Sequence, residues 1–60
     1  MARTYFLPGS VQWAEVERQD GLWQVSYYVG VTVCWAYGYV YFREAETALI
    51  VNGYMKGHVQ

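Results

Sequence analysis

Residues 22–42, LWQVSYYVGVTVCWAYGYVYF, contain no charged side chain and alternate in size with a period of two. Val25, Tyr27, Val29, Val31, Val33, Trp35, Tyr37, Tyr39 and Tyr41 fall on one parity. Ser26, Tyr28, Gly30, Thr32, Cys34, Ala36, Gly38, Val40 and Phe42 fall on the other, which is mostly small or weakly polar. Side chains of a β-strand alternate between the two faces of its sheet, so this stretch dictates a sheet with one large, apolar face and one small face. The stretch is also long enough to cross a bilayer as a helix. Gln24, Ser26 and five tyrosines argue against that, because aromatic residues in a membrane span belong at its ends.

A chain of 60 residues buries a modest fraction of its surface and needs dense packing, cross-links, metal or association to be stable. Cys34 is the only cysteine, which excludes an internal disulfide, and no Cys/His cluster offers a zinc site. The aromatic residues, 20% of the chain, are therefore the expected source of stability. The length predicts one small domain over residues 1–60, and dimerisation would add to its core. With no signal-like N-terminus and one free cysteine, a cytoplasmic location is expected.

Arg3 to Leu7 reads as a short edge strand, broken by Pro8-Gly9-Ser10. Val11 to Arg18 fits either a helix capped by Ser10 or a strand leading into an Asp20-Gly21 type I′ turn. Pairing parity favours the hairpin. A two-residue turn sets Gln19 opposite Leu22, Val16 opposite Val25, Ala14 opposite Tyr27 and Arg18 opposite Trp23. On the other face Glu17 meets Gln24, Glu15 meets Ser26 and Trp13 meets Tyr28. A slip by one residue would exchange the faces. The next strand is too long to run unbroken to Phe42. An Ala36-Tyr37-Gly38 loop keeps Trp35 with Tyr39 and Val33 with Tyr41, so the turn is expected at Gly38, with a bend or bulge at Gly30.

Residues 43–52, REAETALIVN, have helical composition with early acids. Gly53 suits the position after the helix, with Tyr54 as its hydrophobic partner. The alternative is an Asn52-Gly53 hairpin in an all-β domain. The predicted fold is α+β: an antiparallel meander of about three strands, Val11–Gln19, Leu22–Trp35 and Tyr39–Phe42, with a helix from Arg43 to Asn52 on its large-residue face. Val16, Val25, Tyr27, Val29, Val33 and Leu49 are the expected core.

No reaction motif is present. His58 has no local catalytic or metal partner and reads as a tail histidine. Cys34, between Thr32 and Ala36, reads as a buried structural thiol. The dispersed glycines form no phosphate loop, and no cofactor is expected. A net charge of −1 lacks the broad basic footprint of a nucleic-acid binder. Trp13 and Tyr28, neighbours across the hairpin, are candidates for aromatic contact, either stacking on bases or packing against protein.

Charge distribution is more informative than the total. The acids form two runs: Glu15, Glu17 and Asp20 in WAEVERQDG, and Glu44 and Glu46 in REAETA. The bases Arg3, Arg18, Arg43 and Lys56 are scattered. Glu15 and Glu17 share one parity and would form a carboxylate pair about 7 Å apart on one face of the hairpin. A carboxylate array of this kind competes with phosphates for Lys and Arg and speeds association with a basic groove.

In its small size, lack of catalytic motifs and these two acidic runs, the chain resembles the phage-encoded anti-CRISPR proteins. The resemblance is one of size and character, since those proteins share no common motif. It implies a non-enzymatic inhibitor, acting in the host cytoplasm as a DNA mimic. Its acidic surface, Glu15, Glu17, Asp20, Glu44 and Glu46, would block the DNA-binding site of a CRISPR–Cas effector. The partner would be a host protein or nucleoprotein with a basic groove, engaged without direct nucleic-acid or membrane contact, by a monomer or a homodimer. At a net charge of −1 this reading requires the acids to gather locally with the bases elsewhere. Two further readings stand beside it. One is an oligomerisation module that packs the small residues Ser26, Gly30, Thr32, Cys34 and Ala36 against another copy. The other is a nucleic-acid-binding β domain that uses Trp13 and Tyr28.

Overall fold

The computed structural model describes residues 2–57; the His58 reading lies outside them. The chain runs β1 (Arg3–Phe6), β2 (Gln12–Gln19), β3 (Leu22–Val29), β4 (Thr32–Tyr39), α1 (Phe42–Val51) and β5 (Met55–Lys56). The strands form one antiparallel sheet in the order β4-β3-β2-β1-β5. The α+β class is as predicted, with five strands in place of about three.

Local chemistry accounts for each turn. Asp20 and Gly21, with φ of 52° and 79°, supply the two positive φ angles of a type I′ turn. The β2–β3 register is the predicted one throughout, from Gln19 opposite Leu22 to Gln12 opposite Val29. Leu7-Pro8-Gly9-Ser10 is a type II turn: Ser10 N–H donates to the Leu7 carbonyl at 3.2 Å, and Gly9 has φ 74°. It returns β1 antiparallel beside β2, with Tyr5 opposite Ala14 and Phe6 opposite Trp13.

The β3–β4 connection differs from the prediction. The chain turns at Gly30-Val31, not at Gly38, and residues 32–39 form one strand. Gly30, with φ 60°, fits the first central position of a type II′ turn. An unbroken ladder from that turn would set Tyr27 opposite Cys34 and mix the faces. A bulge prevents this. Val33 pairs with Tyr28 and Trp35 pairs with Tyr27, leaving Cys34 as the extra residue. Beyond it Val25 meets Tyr37 and Trp23 meets Tyr39, so the large residues are together again. Two core assignments change as a result. Val29 is 44% and Val33 54% exposed, because they flank the turn on the near side of the bulge.

α1 begins without a side-chain cap on Tyr41. Instead the Glu44 carboxylate accepts the Tyr41 N–H at 3.2 Å, one half of a capping box. The helix ends in a Schellman motif. Tyr54 N–H donates to the Leu49 carbonyl and Gly53 N–H to that of Ile50, each at 3.0 Å, with Gly53 at φ 89°. This motif consumes the Asn52-Gly53 pair, so the hairpin alternative is not formed.

Ala45 and Leu49, one turn apart, point from α1 into a core of Tyr5, Ala14, Val16, Val25, Tyr27 and Tyr54. Trp23 and Phe42 close one end edge to face, with ring centroids 5.1 Å apart. The Arg18 guanidinium lies 5.4 Å from the Trp23 centroid, and that of Arg3 lies 4.4 Å from Phe42. Arg18 thus settles beside Trp23 by laying its cation over the ring. No described helix is long and apolar enough to cross a membrane.

Candidate functional site: the open face of the sheet

The helix covers one face of the sheet, so residues alternating with the buried set occupy the other. One row of that open face crosses all five strands: Val33, Tyr28, Trp13, Phe6 and Met55 are successive cross-strand neighbours. Trp13 and Tyr28 stack with centroids 4.1 Å apart and planes within 7°. The indole Nε1–H of Trp13 donates to the Gly30 carbonyl at 2.6 Å, which ties the stack to the β3–β4 turn. Phe6, Val33 and Met55 are 40%, 54% and 55% exposed. The row is an apolar ridge: Phe6, Trp13 and Tyr28 have a strand on both sides, and Val33 and Met55 end it on the two edge strands.

Beside the ridge the next row runs through Ala36, Ser26, Glu15 and Thr4, and the row after it contains Gly38, Gln24 and Glu17. Glu15 and Glu17 therefore share the open face, two residues apart on β2. Glu17 is exposed and Glu15 half-buried. Asp20 stands in the turn at the far end of the same hairpin.

The second acidic run is elsewhere. Glu44 is occupied at the start of α1. Glu46 lies on the helix side, where its Oε2 accepts the Tyr5 hydroxyl at 3.1 Å and pairs with Lys56 Nζ at 3.4 Å. Burial first, and then the Glu46 carboxylate, raises the Tyr5 phenol above its ordinary value. The five acids form no single patch. Glu15, Glu17 and Asp20 follow the β2–β3 hairpin, while Glu44 and Glu46 belong to the helix.

The bases are segregated as well. Arg3 and Arg18 lie over Phe42 and Trp23, Lys56 reaches Glu46, and Arg43 is in the first turn of α1. All four occupy the helix side, and among the described residues the open face carries carboxylates and no cation. The small-residue stripe is interrupted: Gly30 forms the turn and Cys34 the bulge, so only Ser26 and Ala36 remain cross-strand neighbours. Cys34 is exposed rather than buried, because a bulge residue has no opposite partner to cover it.

On the helix side a groove of about 390 Å³ opens between α1 and the sheet, lined in part by Tyr27, Trp35, Tyr37, Tyr39 and Tyr54. Its lining contains no carboxylate, imidazole or thiol. Among the described residues no group of three or more His, Cys, Asp or Glu is placed to hold a metal ion.

Sequence reasoning found Trp13 and Tyr28 but missed Phe6, Val33 and Met55. Phe6 was accessible by carrying the hairpin parity back across the Pro8-Gly9 turn. Val33 was hidden by the bulge. No protein-family model, curated protein or solved structure matches this chain.

Proposed function

We propose that the chain is a non-enzymatic binding domain whose open sheet face docks on a basic, nucleic-acid-binding groove of a partner protein. The observation that carries this reading is the separation of charge across the sheet. Glu15 and Glu17 stand on a rigid ladder beside an apolar ridge, and the four bases are on the opposite side. A face of this composition offers desolvated aromatic anchors with charge at their margin, the arrangement found in protein–protein hot spots. The carboxylates would steer association with lysines and arginines that otherwise hold phosphates. The chain's resemblance to anti-CRISPR proteins makes a guide-loaded CRISPR–Cas effector in the host cytoplasm the partner to test first.

Direct base stacking is the weaker reading. Trp13 and Tyr28 lie against each other, the indole N–H is already satisfied, and the carboxylates alongside repel phosphates. The test is duplex-DNA binding by guide-loaded effectors of several types, with and without the protein. Loss of DNA binding for one effector type supports the proposal. Unimpaired DNA binding by all of them removes the CRISPR assignment, and binding of the protein itself to DNA would favour the stacking reading.

A further inference from the structure

β4 ends the sheet, and among the described residues no strand lies on its outer side. Natural edge strands are blunted by charge, proline, shortness or a covering element. The opposite edge follows that rule, since β5 has two residues and one of them is Lys56. β4 does not: it is eight residues, TVCWAYGY, with neither charge nor proline. Trp35 and Tyr37 are on the helix side of the sheet yet remain 57% and 56% exposed. The residues that α1 buries, Ala45 and Leu49, serve the core, and the exposed rings extend past it.

We propose that β4 pairs antiparallel with β4 of a second copy of this chain, about a two-fold axis perpendicular to the sheet. Only that axis joins the two edges antiparallel and keeps both helices on one side. From Cys34 to Gly38 opposite residues then share a face, and this part of the strand is self-complementary. With Ala36 opposite its own copy, each Trp35 meets Tyr37 of the other chain and each Cys34 meets Gly38. Large residues meet large, small meet small, and no like charges are brought together. Fully covered rings bury about 150–250 Å² each. Four half-exposed rings with two eight-residue backbone edges bring the total to about 1,000 Å², the size at which specific interfaces begin.

The dimer has a ten-stranded sheet with both Glu15–Glu17 pairs on one side. It does not depend on the recognition reading, because each chain keeps its own acid pair if the dimer fails.

Sedimentation equilibrium on the whole chain tests the proposal. The mass should rise with concentration to twice 7.0 kDa. Tyr37→Lys should hold it at 7.0 kDa with an unchanged circular dichroism spectrum. Should that variant not fold, the milder Tyr37→Ser should weaken association at least tenfold. A spin label on Cys34 should report an inter-label distance below about 30 Å, whereas pairing through β5 would separate the labels by about 45 Å at the spacing of strands in a sheet. A mass of 7.0 kDa at every concentration would overturn the proposal. So would a dimer unaffected by the Tyr37 variants, or labels beyond about 40 Å at this strand spacing.

Discussion

Leu49 and Val33 show what the bulge does to individual residues. Both are apolar and both are expected core positions from the sequence, yet Leu49 is fully buried and Val33 more than half exposed. Leu49→Ala should lower stability by about 2–5 kcal/mol, since it leaves a cavity against Val16, Val25 and Tyr5. Val33→Ala should cost under about 1 kcal/mol. Chemical denaturation of the two variants checks the contrast, and equal losses would contradict the observed register. Tyr5 supplies a second prediction. Its phenol is raised above the ordinary 10.0, chiefly by burial and then by Glu46, and burial shifts Tyr27 the same way. The fold therefore favours the neutral phenol. That stabilisation is complete below the unfolded value of 10.0 and is lost as pH rises through the higher folded value. Melting temperature should fall steeply above that point. Tyr5→Phe should make the fall shallower while costing about 1 kcal/mol at neutral pH for the lost hydrogen bond. Melts at neutral and strongly alkaline pH decide it.

Among the elements, the β2–β3 hairpin was fully legible, because Asp20-Gly21 fixes the turn and the polar and apolar parities on both sides agree. The helix end was legible too, since Gly53 and Tyr54 meet the requirements of a Schellman motif. The β3–β4 hairpin was not. Period-two reading carries parity through a turn but cannot register one inserted residue, and Cys34 looks like any small residue of its face. Deleting Cys34 should therefore regularise the ladder, whereas inserting a second residue beside it would exchange the faces beyond it. Cys34→Ala should change stability by less than about 0.5 kcal/mol, as expected for an exposed site. Removal of the residue would leave Val33 opposite Tyr28 and Trp35 opposite Tyr27 in an unbroken ladder, so Trp35, Tyr37 and Tyr39 keep their face and cooperative melting should survive. A deletion variant that loses cooperative melting would contradict the observed register. At the helix end, Gly53→Ala should cost about 1 kcal/mol, since its φ of 89° is one that L-residues rarely adopt.

For the whole molecule, no local pattern places the two acidic runs relative to each other. Glu15 and Glu17 were put on one face by strand parity alone, and they are there. The position of Glu46 depends on where α1 packs and on β5 bringing Lys56 back beside Tyr5, a long-range contact that no local pattern encodes. The same packing draws Arg3 and Arg18 over aromatic rings on the helix side. A chain of net charge −1 thereby acquires a face that, among the described residues, carries carboxylates and no cation. The most direct test replaces Glu15 and Glu17 together with Gln and measures how strongly the protein suppresses DNA binding by a susceptible effector, at low and high salt. Both carboxylates are outside the core, so the melting temperature should stay within a few degrees of the parent. Inhibition should weaken mainly through slower association, and the difference from the parent should shrink as salt screens the charges. Equal inhibition by the double variant and the parent at low salt, with unchanged melting, would contradict the assignment of this face to recognition.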